Sequence, residues 1–195
     1  MPHYRKSLPI SEGFVSNLKT GVCLSFFISA MDRLKMITIS PYSESYRDGV
    51  IALILPIQQT EFGFAITLQE QPDLLDIPNF YQSGHGNFWI ARAGEEVVGS
   101  ISLKDIGNAQ GALRKMFVKA PFRGREHRVA HRLLQELLGW SRRQGLRQVF
   151  LGTTAAFLAA HRFYEKNGFA EIDASGLPQA FPRMGLDTRF YRLDL

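Results

Sequence analysis

The chain has 195 residues, of which 45% are hydrophobic and 21% charged, and this composition is typical of one globular domain with a well-filled core. Its single cysteine, Cys23, excludes an intrachain disulfide and a cysteine-rich metal site. The net charge of +5 raises the question of nucleic-acid binding. Its arginines, however, cluster around one turn and one helix, between Arg123 and Arg147, which suits a compact polyphosphate better. We therefore expect no nucleic-acid partner.

Residues 1–35 differ in character from the rest of the chain. Their apolar stretch at residues 21–30 is shorter than the about 20 residues needed to cross a bilayer. A secretory signal peptide is not expected, because no clear small-x-small cleavage site follows the apolar stretch. We expect either a loosely attached N-terminal extension or an upstream-start artefact, in which case translation begins at Met31 or Met36. The folded domain is then residues 36–195, and we expect a cytoplasmic protein with no membrane partner.

The first predicted elements follow the hydrophobic period. Residues 36–40 alternate as an opening strand, and residues 43–57 carry apolar side chains at helical spacing up to Pro56, which should break the helix. A shorter helix is predicted at 71–76, with Pro72 in its first turn. The pattern then changes to period two and predicts an antiparallel meander. Its strands are at residues 88–92, 97–103 and 113–118.

In the C-terminal half, helices alternate with short strands. An apolar stripe with helical spacing predicts a long helix over residues 126–143. The other predicted elements are a strand at 149–152, a helix at 155–166 ended by Asn167-Gly168, and strands at 169–174 and 189–195. This order of elements is that of an α+β protein.

The segment between the third meander strand and the long helix is basic. The first turn of a helix exposes N–H groups without an internal partner and carries partial positive charge, and arginines add further donors. The segment therefore predicts a phosphate site. Its residues are Arg123, Gly124, Arg125, Glu126, His127, Arg128, Val129 and Ala130. The alternative is a basic loop that caps an amphipathic helix. A Walker-type site is excluded, because no Gly-x-x-x-x-Gly-Lys-Ser/Thr run exists.

A second motif follows the next strand, where Thr153-Thr154 leads into a helix ending in Tyr164-Glu165-Lys166-Asn167-Gly168-Phe169. Together the two motifs resemble the acyl-CoA-binding half of the GNAT superfamily of N-acyltransferases. The resemblance covers roughly residues 36–195, more weakly in the N-terminal third. It implies the GNAT fold, with a mixed, mostly antiparallel sheet that is splayed near its middle and flanked by helices. It also implies acetyl-CoA as the acetyl donor and no metal.

The resemblance also implies how acetyl-CoA is held. Its pyrophosphate would bind the backbone N–H groups of residues 123–130. Its pantetheine amides would bind backbone groups of Met116, Phe117 and Val118 on the splayed strand. Thr154, at the end of the strand beside the cleft, would donate a hydrogen bond from its hydroxyl to the substrate amide, with helix capping as its alternative role.

The loop departs from the family pattern Arg/Gln-x-x-Gly-x-Gly/Ala. Read from Arg125, the spacing holds but Arg128 takes a glycine position. Read from Arg123, the loop is two residues longer and Glu126 replaces the glycine. Glycine allows φ > 0 and close approach of a phosphate, so either register implies a different loop path or a weaker site. We favour the longer register, because it keeps Arg123-Gly124 directly after the strand.

Two residues are predicted to be catalytic. Tyr164 is the expected proton donor to the leaving thiolate, since a phenol with a pKa near 10 is protonated at pH 7; otherwise it is a packed aromatic. The central-strand position where some relatives carry a general-base Glu holds Ala112 or Leu113. Glu61, which the resemblance places over the acceptor cleft, is the remaining candidate to deprotonate or bind the acceptor ammonium. Its alternative is a solvated loop residue.

The sequence therefore predicts an enzyme that passes the acetyl group of acetyl-CoA directly to a primary amine of a small molecule or peptide. The alternative is a non-catalytic acyl-CoA-binding or sensing module, and a nucleic-acid-binding domain is a third. Arg183 and Arg189 hint at an acceptor with a carboxylate. A homodimer is also considered, because Tyr191, Leu193 and Leu195 form one apolar face of the last strand.

Overall fold

The computed structural model describes residues 36–195 of the chain. The N-terminal extension predicted for residues 1–35 lies outside this range. In the described part, residues Ile37–Leu195 fold as one unit around a sheet with helices on both faces. The strands are β1 (Ile37–Pro41), β2 (Asn87–Ala93), β3 (Glu96–Asp105), β4 (Gln110–Val118), β5 (Gln148–Thr153), β6 (Ala170–Ile172) and β7 (Arg189–Asp194). The helices are α1 (Arg47–Pro56), α2 (Pro72–Leu75), α3 (Ile77–Tyr81), α4 (Val129–Arg143) and α5 (Leu158–Lys166).

The strands form one seven-stranded sheet in the order β1-β2-β3-β4-β5-β7-β6. Every neighbouring pair is antiparallel except β4 and β5, which run parallel. The predicted mixed, mostly antiparallel α+β sheet is therefore confirmed. The pairing of β4 with β5 ends at Leu113 and Leu151, although β4 continues to Val118. The two strands thus part in the middle of the sheet.

The two faces of the sheet are covered by different helices. One face packs on α4, whose Leu133, Leu134 and Leu137 are completely buried. Burial of each such leucine stabilises the fold by about 1.5–3 kcal/mol. The other face packs on α1, α2 and α3, through a core that includes Ile54 and Leu74. A smaller third cluster around Phe150 and Phe190 lies under the loop before β7.

Several element boundaries differ from the prediction. Helix α1 begins at Arg47 after a 3-10 turn, Glu44–Tyr46. Pro56 is the last α-helical residue, but it does not end the helical path. Its missing N–H affects only the preceding turn, and the chain continues as a π-helical turn, Ile57–Glu61, in which the Phe62 N–H donates to the Ile57 carbonyl over 3.1 Å. Helix α4 begins at Val129 instead of Glu126, since Arg128 at its N-cap adopts a left-handed conformation with φ 50°. Helix α5 begins at Leu158, later than predicted.

Strand β4 contains a bulge at Lys115. Ser102 pairs with Arg114 and Ser100 with Phe117, so two residues of β4 stand opposite Ile101 alone. Lys115 takes a left-handed φ of 49°, and its carbonyl accepts a hydrogen bond of 2.8 Å from the Ser100 hydroxyl. Successive residues of a regular strand point to opposite faces. The extra residue instead sends the Arg114 and Lys115 side chains to the same face, where both reach Asp73 of α2.

Strand β7 lies inside the sheet, between β5 and β6. Tyr191 is completely buried, and Leu193 and Leu195 pack on the same core. The apolar face considered for pairing between subunits therefore serves the monomer, and the homodimer stays a prediction. Within residues 36–195, no helix combines the length and hydropathy needed to cross a bilayer.

Candidate active site

A cavity of about 410 Å³ opens where β4 and β5 part. Residues 113–118 of β4 and residues 152–160, from the end of β5 to the start of α5, form its sides, and the loops at residues 57–66 and 181–187 cover it. The lining residue Tyr164 belongs to the core on the α4 side, whereas Ile57 belongs to the core on the α1 side. The cavity therefore passes through the sheet. We call its two parts the α5 half and the α2 half, after the nearest helix.

The α5 half contains the predicted proton donor. Tyr164 is buried, and its hydroxyl donates to the thioether of Met116 over 3.6 Å. Burial raises the pKa of Tyr164 well above its usual value, and the negative charge of Asp187 acts in the same direction. The hydroxyl is therefore protonated at neutral pH, and its only partner among the described residues is a weak acceptor. The segment before and at the start of α5 lines this side with the small residues Ala156 and Ala160 and the larger Phe157 and Leu158.

The backbone of β4 also faces the α5 half. Beyond Leu113 the strand has no β5 partner, so the β5-facing N–H and C=O groups of residues 114–117 are open to a ligand. Met116, Phe117 and Val118, which the resemblance assigns to pantetheine, all line the cavity. The carbonyl of Val118 accepts a 2.7 Å hydrogen bond from Nε of Arg123.

The predicted phosphate loop lies between β4 and α4. Gly124 and Arg128 both take left-handed conformations, with φ 95° and 50°. No side chain caps the first turn of α4, so its N–H groups are available to an anion. The loop residues Arg123, Gly124, Arg125, Glu126 and Arg128 are exposed, His127 packs beside Phe122, Val129 is buried and Ala130 is partly buried.

The backbone at Arg128 decides between the two loop registers. Arg128 is the left-handed residue directly before α4, which is the position where the pattern read from Arg125 requires glycine. The helix end of the loop therefore follows the register from Arg125, and the longer register, read from Arg123, is wrong at this point. Because Glu126 precedes the helix, it is not part of the first turn. A non-glycine residue in this conformation costs roughly 1–2 kcal/mol.

Glu61 takes a role different from the one predicted. It forms a bidentate ion pair with Arg123, with one oxygen bound by Nη1 and the other 2.8 Å from Nη2. Arg123 hydrogen bonding lowers the pKa of the Glu61 carboxyl. Glu61 does not line the cavity. The pair instead ties the loop at residues 57–66 to the end of β4, and we do not retain Glu61 as a catalytic base.

The α2 half contains buried charges that were not predicted. Asp73 accepts a 2.5 Å hydrogen bond from the Tyr81 hydroxyl and lies 3.2 Å from Nζ of Lys115 and 3.6 Å from Arg114. Lys115 also donates to the Gln71 side chain over 2.6 Å. Burial lowers the pKa of Lys115, and Asp73 opposes this shift. No local sequence pattern predicts this group of charges, because its members come from α2, α3 and β4 and meet only in the folded chain.

Asp187 is the carboxylate that faces the cavity from the loop before β7. Its Oδ2 accepts a 3.1 Å hydrogen bond from the backbone N–H of Met184. The carboxylate lies so close to Gly152 that a Cβ at that position would come within 2.4 Å of Oδ2. Burial raises the pKa of Asp187, although the Met184 N–H and the charges of Arg114 and Arg183 oppose the shift. Sequence reasoning missed it, because its only signal is its place just before the last strand.

Three other predicted contributors lie outside the cavity or play local roles. Arg183 is exposed and lies over the Phe190 ring, 5.1 Å from its centroid. Arg189 forms a bidentate pair with Glu171 and a 2.9 Å contact with His161. Neither arginine lines the cavity, so neither is placed to bind a carboxylate of an acceptor there. Thr154 lines the cavity, and its hydroxyl accepts from the Ala156 N–H. In residues 36–195, no three His, Cys, Asp or Glu side chains are grouped as metal ligands.

This combination of a parted sheet, an open strand edge and a basic loop before a helix defines an acyl-CoA-dependent transferase fold. The model of the acetyltransferase (GNAT) family matches residues 52–169, which is more than half of the chain. The chain therefore belongs to the GNAT family, and the resemblance stated from the two motifs is confirmed.

Solved structures support the fold. A GNAT-family acetyltransferase from Staphylococcus aureus is 36% identical, with a TM-score of 0.78, over 82% of this chain and 99% of that one. The PaiA N-acetyltransferase from Thermoplasma acidophilum, solved in complex with coenzyme A, is 16% identical with a TM-score of 0.63, over 82% of this chain and 99% of that one. The second likeness is one of fold alone.

Curated relatives match a shorter stretch. The probable N-acetyltransferase family 8 member 5 of Mus musculus is 34% identical over 51% of this chain and 45% of its own length. The N-acetylaspartate synthetase of Xenopus tropicalis is 33% identical over 51% of this chain and 37% of its own length. The matched stretch thus spans less than half the length of these relatives.

Proposed function

We propose that the protein is an N-acetyltransferase that passes an acetyl group from acetyl-CoA directly to a primary amine. The observation that carries this proposal is the cavity through the sheet, which has a proton donor in one half and a carboxylate in the other. Tyr164 faces the α5 half, and Asp187 lies near enough for its charge to raise the pKa of Tyr164. Donor and acceptor would thus meet between the two groups.

The α5 half fits acetyl-CoA. The unpaired edge of β4 offers N–H and C=O groups to the two pantetheine amides. The open first turn of α4 and the exposed Arg125 and Arg128 suit the pyrophosphate. Arg123 would hold the neighbouring loops in place instead of binding the pyrophosphate, because Glu61 and the Val118 carbonyl already bind its guanidinium. Small side chains at Ala156 and Ala160 leave room for the acyl end.

Acetyl-CoA, when bound, supplies a thioester that an amine can attack. Asp187 accepts a proton from the acceptor ammonium, so that the free amine nitrogen forms a bond to the acetyl carbon as the carbon–sulfur bond breaks. Tyr164 donates its proton to the departing sulfur, and the second proton of the new amide nitrogen returns to the Tyr164 oxygen through water. Asp187 then releases the proton that it accepted to solvent. The residues also hold the two reactants in line, which removes much of the entropic barrier.

Direct transfer is supported by the chain itself. The only cysteine is Cys23, so residues 36–195 offer no thiol nucleophile for an acyl-enzyme. A primary amine as acceptor is supported by the N-acetylaspartate synthetases among the relatives, whose name gives an amino acid as the acetylated group. The cytoplasmic location and the homodimer remain predictions.

Isothermal titration with acetyl-CoA tests the proposal, followed by an assay for thiol release in the presence of a mixture of primary amines. We expect the wild type to bind acetyl-CoA and to release thiol only when amine is present. The double variant Arg125→Ala/Arg128→Ala should bind at least about tenfold more weakly, because two charge-assisted contacts are lost. The matched control, Arg142→Ala/Arg143→Ala, removes two arginines from the opposite end of α4 and should bind normally.

Two results would contradict the proposal. No binding of acetyl-CoA to the wild type would mean that the left-handed Arg128 prevents the loop from accepting a pyrophosphate. Binding without thiol release in any amine mixture would favour the alternative, an acyl-CoA-binding or sensing module.

A further inference from the structure

The α2 half brings two cationic side chains to one spot. Because of the bulge at Lys115, Arg114 and Lys115 leave β4 on the same face and both line the cavity. Their side chains are only 12% and 5% exposed. Ionised groups are rarely buried to this extent unless they are paired or bind a charged ligand. The pair therefore needs an explanation beyond packing.

Arg114 is poorly satisfied by its protein neighbours. Among residues 36–195, its guanidinium donates a hydrogen bond to the thioether of Met184 over 2.9 Å, and the nearest carboxylate oxygen, on Asp73, is 3.6 Å away. A thioether is a weak acceptor. A guanidinium has five N–H donors in a rigid fork that matches a carboxylate. Arg114 therefore has N–H donors that face the cavity and are not used in strong hydrogen bonds to the described residues.

Charge balance points to the same ligand chemistry. The charged groups of the α2 half are Arg114, Lys115, Asp73 and the half-buried Asp187, two of each sign. A bare ammonium acceptor would add an uncompensated positive charge to this buried site, which is costly. A zwitterion adds none, since its ammonium faces Asp187 and its carboxylate faces the two cations.

We infer that the acceptor is a small primary amine that carries a carboxylate, in the manner of a free amino acid, and that Arg114 and Lys115 bind this carboxylate. The inference rests on the proposed function and names the substrate class of the same site. Asp73 acts as a positioning residue, because it holds both cations on one face of β4. A cavity of about 410 Å³ lies in the range of about 300–1,000 Å³ that small-molecule sites occupy.

A panel of matched amines tests the inference with the unmodified protein. Each L-amino acid, together with β-alanine, is compared with its own carboxamide, which keeps the amine and the size but loses the negative charge. Peptides that begin with Asp or Glu and end in an amide form a third arm and test whether a side-chain carboxylate suffices. We expect kcat/KM for the preferred acid to exceed that for its amide by at least about 100-fold, since the amide leaves a buried guanidinium unpaired.

Variants then assign the carboxylate to Arg114. Arg114→Gln should abolish the preference for the acid over its amide, because kcat/KM for the acid falls at least about 100-fold more than that for the amide, with unaltered acetyl-CoA binding. Arg114→Lys keeps the charge but loses the fork, and should fall between the two. Arg92→Gln is the matched control, because Arg92 is half-buried outside the cavity and lies over the Tyr46 ring, as Arg114 lies over the Phe80 ring. Thermal unfolding of each variant shows whether it is folded.

The outcomes separate the two proposals. Equal turnover of acids and amides overturns the inference and leaves the acetyltransferase proposal in place. If no amine is acetylated, titration with N-acetyl amino acids and N-acetyl amino acid amides decides the matter without turnover. Binding of the acids alone, lost in Arg114→Gln but kept in Arg92→Gln, supports a carboxylate site. Equal binding of both series, or binding of neither, overturns it.

Discussion

The two halves of the cavity are built from different materials. The α5 half offers backbone groups of β4 and the first turn of α4, and the side chain at its centre, Tyr164, is neutral. The α2 half offers buried charged side chains, among them Arg114, Lys115 and Asp187. Backbone groups suit a donor that is the same in every reaction, whereas side chains can be changed one at a time. The donor half therefore reflects the fold, and the acceptor half reflects the individual protein.

The halves also differ in stability and chemistry. Backbone hydrogen-bonding groups at an open strand edge cost the fold little, because they are solvated when no ligand is bound. The buried charges of the α2 half are tolerated only because they lie close together and share Asp73. Removing one member leaves another unpaired, which typically costs about 3–5 kcal/mol. Variants in the α2 half must therefore be checked for folding, whereas those in the α5 half need this less.

Tyr164→Phe should have the largest effect on turnover. We expect kcat to fall about 100-fold or more, because the departing sulfur loses its proton donor, while acetyl-CoA affinity stays the same. Steady-state kinetics and titration measure the two quantities. Tyr191→Phe is the control, since Tyr191 is an equally buried tyrosine in the same core whose hydroxyl is bound to Glu165. Full activity in Tyr164→Phe would make Tyr164 a packing residue.

Asp187→Asn should lower kcat/KM by about 10–100-fold and change its pH profile. A base acts when deprotonated, and burial raises the pKa of Asp187, so wild-type activity should rise with pH through a value above the usual carboxyl range of about 4. The variant should lack this acidic limb. Asp194→Asn, at an exposed carboxylate paired with Arg192, is the control. An unchanged acidic limb in Asp187→Asn would assign the limb to another group.

Arg128→Gly tests the strained loop on the donor side. The left-handed conformation costs arginine roughly 1–2 kcal/mol, which glycine would relieve. The greater freedom of glycine in the unfolded chain offsets about 0.4–1 kcal/mol of this gain in stability. We therefore expect the free energy of unfolding to rise by up to about 1.5 kcal/mol, measured by urea denaturation. Arg125→Gly should only destabilise, because Arg125 does not have a positive φ. Destabilisation by Arg128→Gly would show that the arginine side chain holds the loop.

Glu61→Gln should have the smallest effect. The pair with Arg123 is partly exposed, with 35% and 39% of the two side chains accessible, and such pairs contribute about 1 kcal/mol or less. We expect kcat to change less than about threefold and the acidic limb of the pH profile to remain. Loss of that limb in Glu61→Gln, with Asp187→Asn unaffected, would restore Glu61 as the base and exchange the roles assigned to the two carboxylates.

The difference between the halves also explains what the sequence could predict. The donor half is made of contiguous pieces, namely a strand edge, a loop before a helix and the helix that carries Tyr164. Each has a local signal. Asp73 and Lys115 instead meet through tertiary packing, at a bulge whose left-handed residue is a lysine and not a glycine or asparagine. The predicted start of α4 at Glu126 was wrong for the same reason, because an arginine at position 128 does not indicate a positive φ.

The bulge makes the charge of the cavity depend on the length of a strand. Met116 faces the core under α4, and Phe117 faces the core under α1, so the alternation on either side of Lys115 is already in phase. Loss of the single codon for Lys115 would remove one positive charge and turn no other side chain of β4 to a different face. The charge of the acceptor half is thus open to change by an in-frame deletion as well as by point substitution.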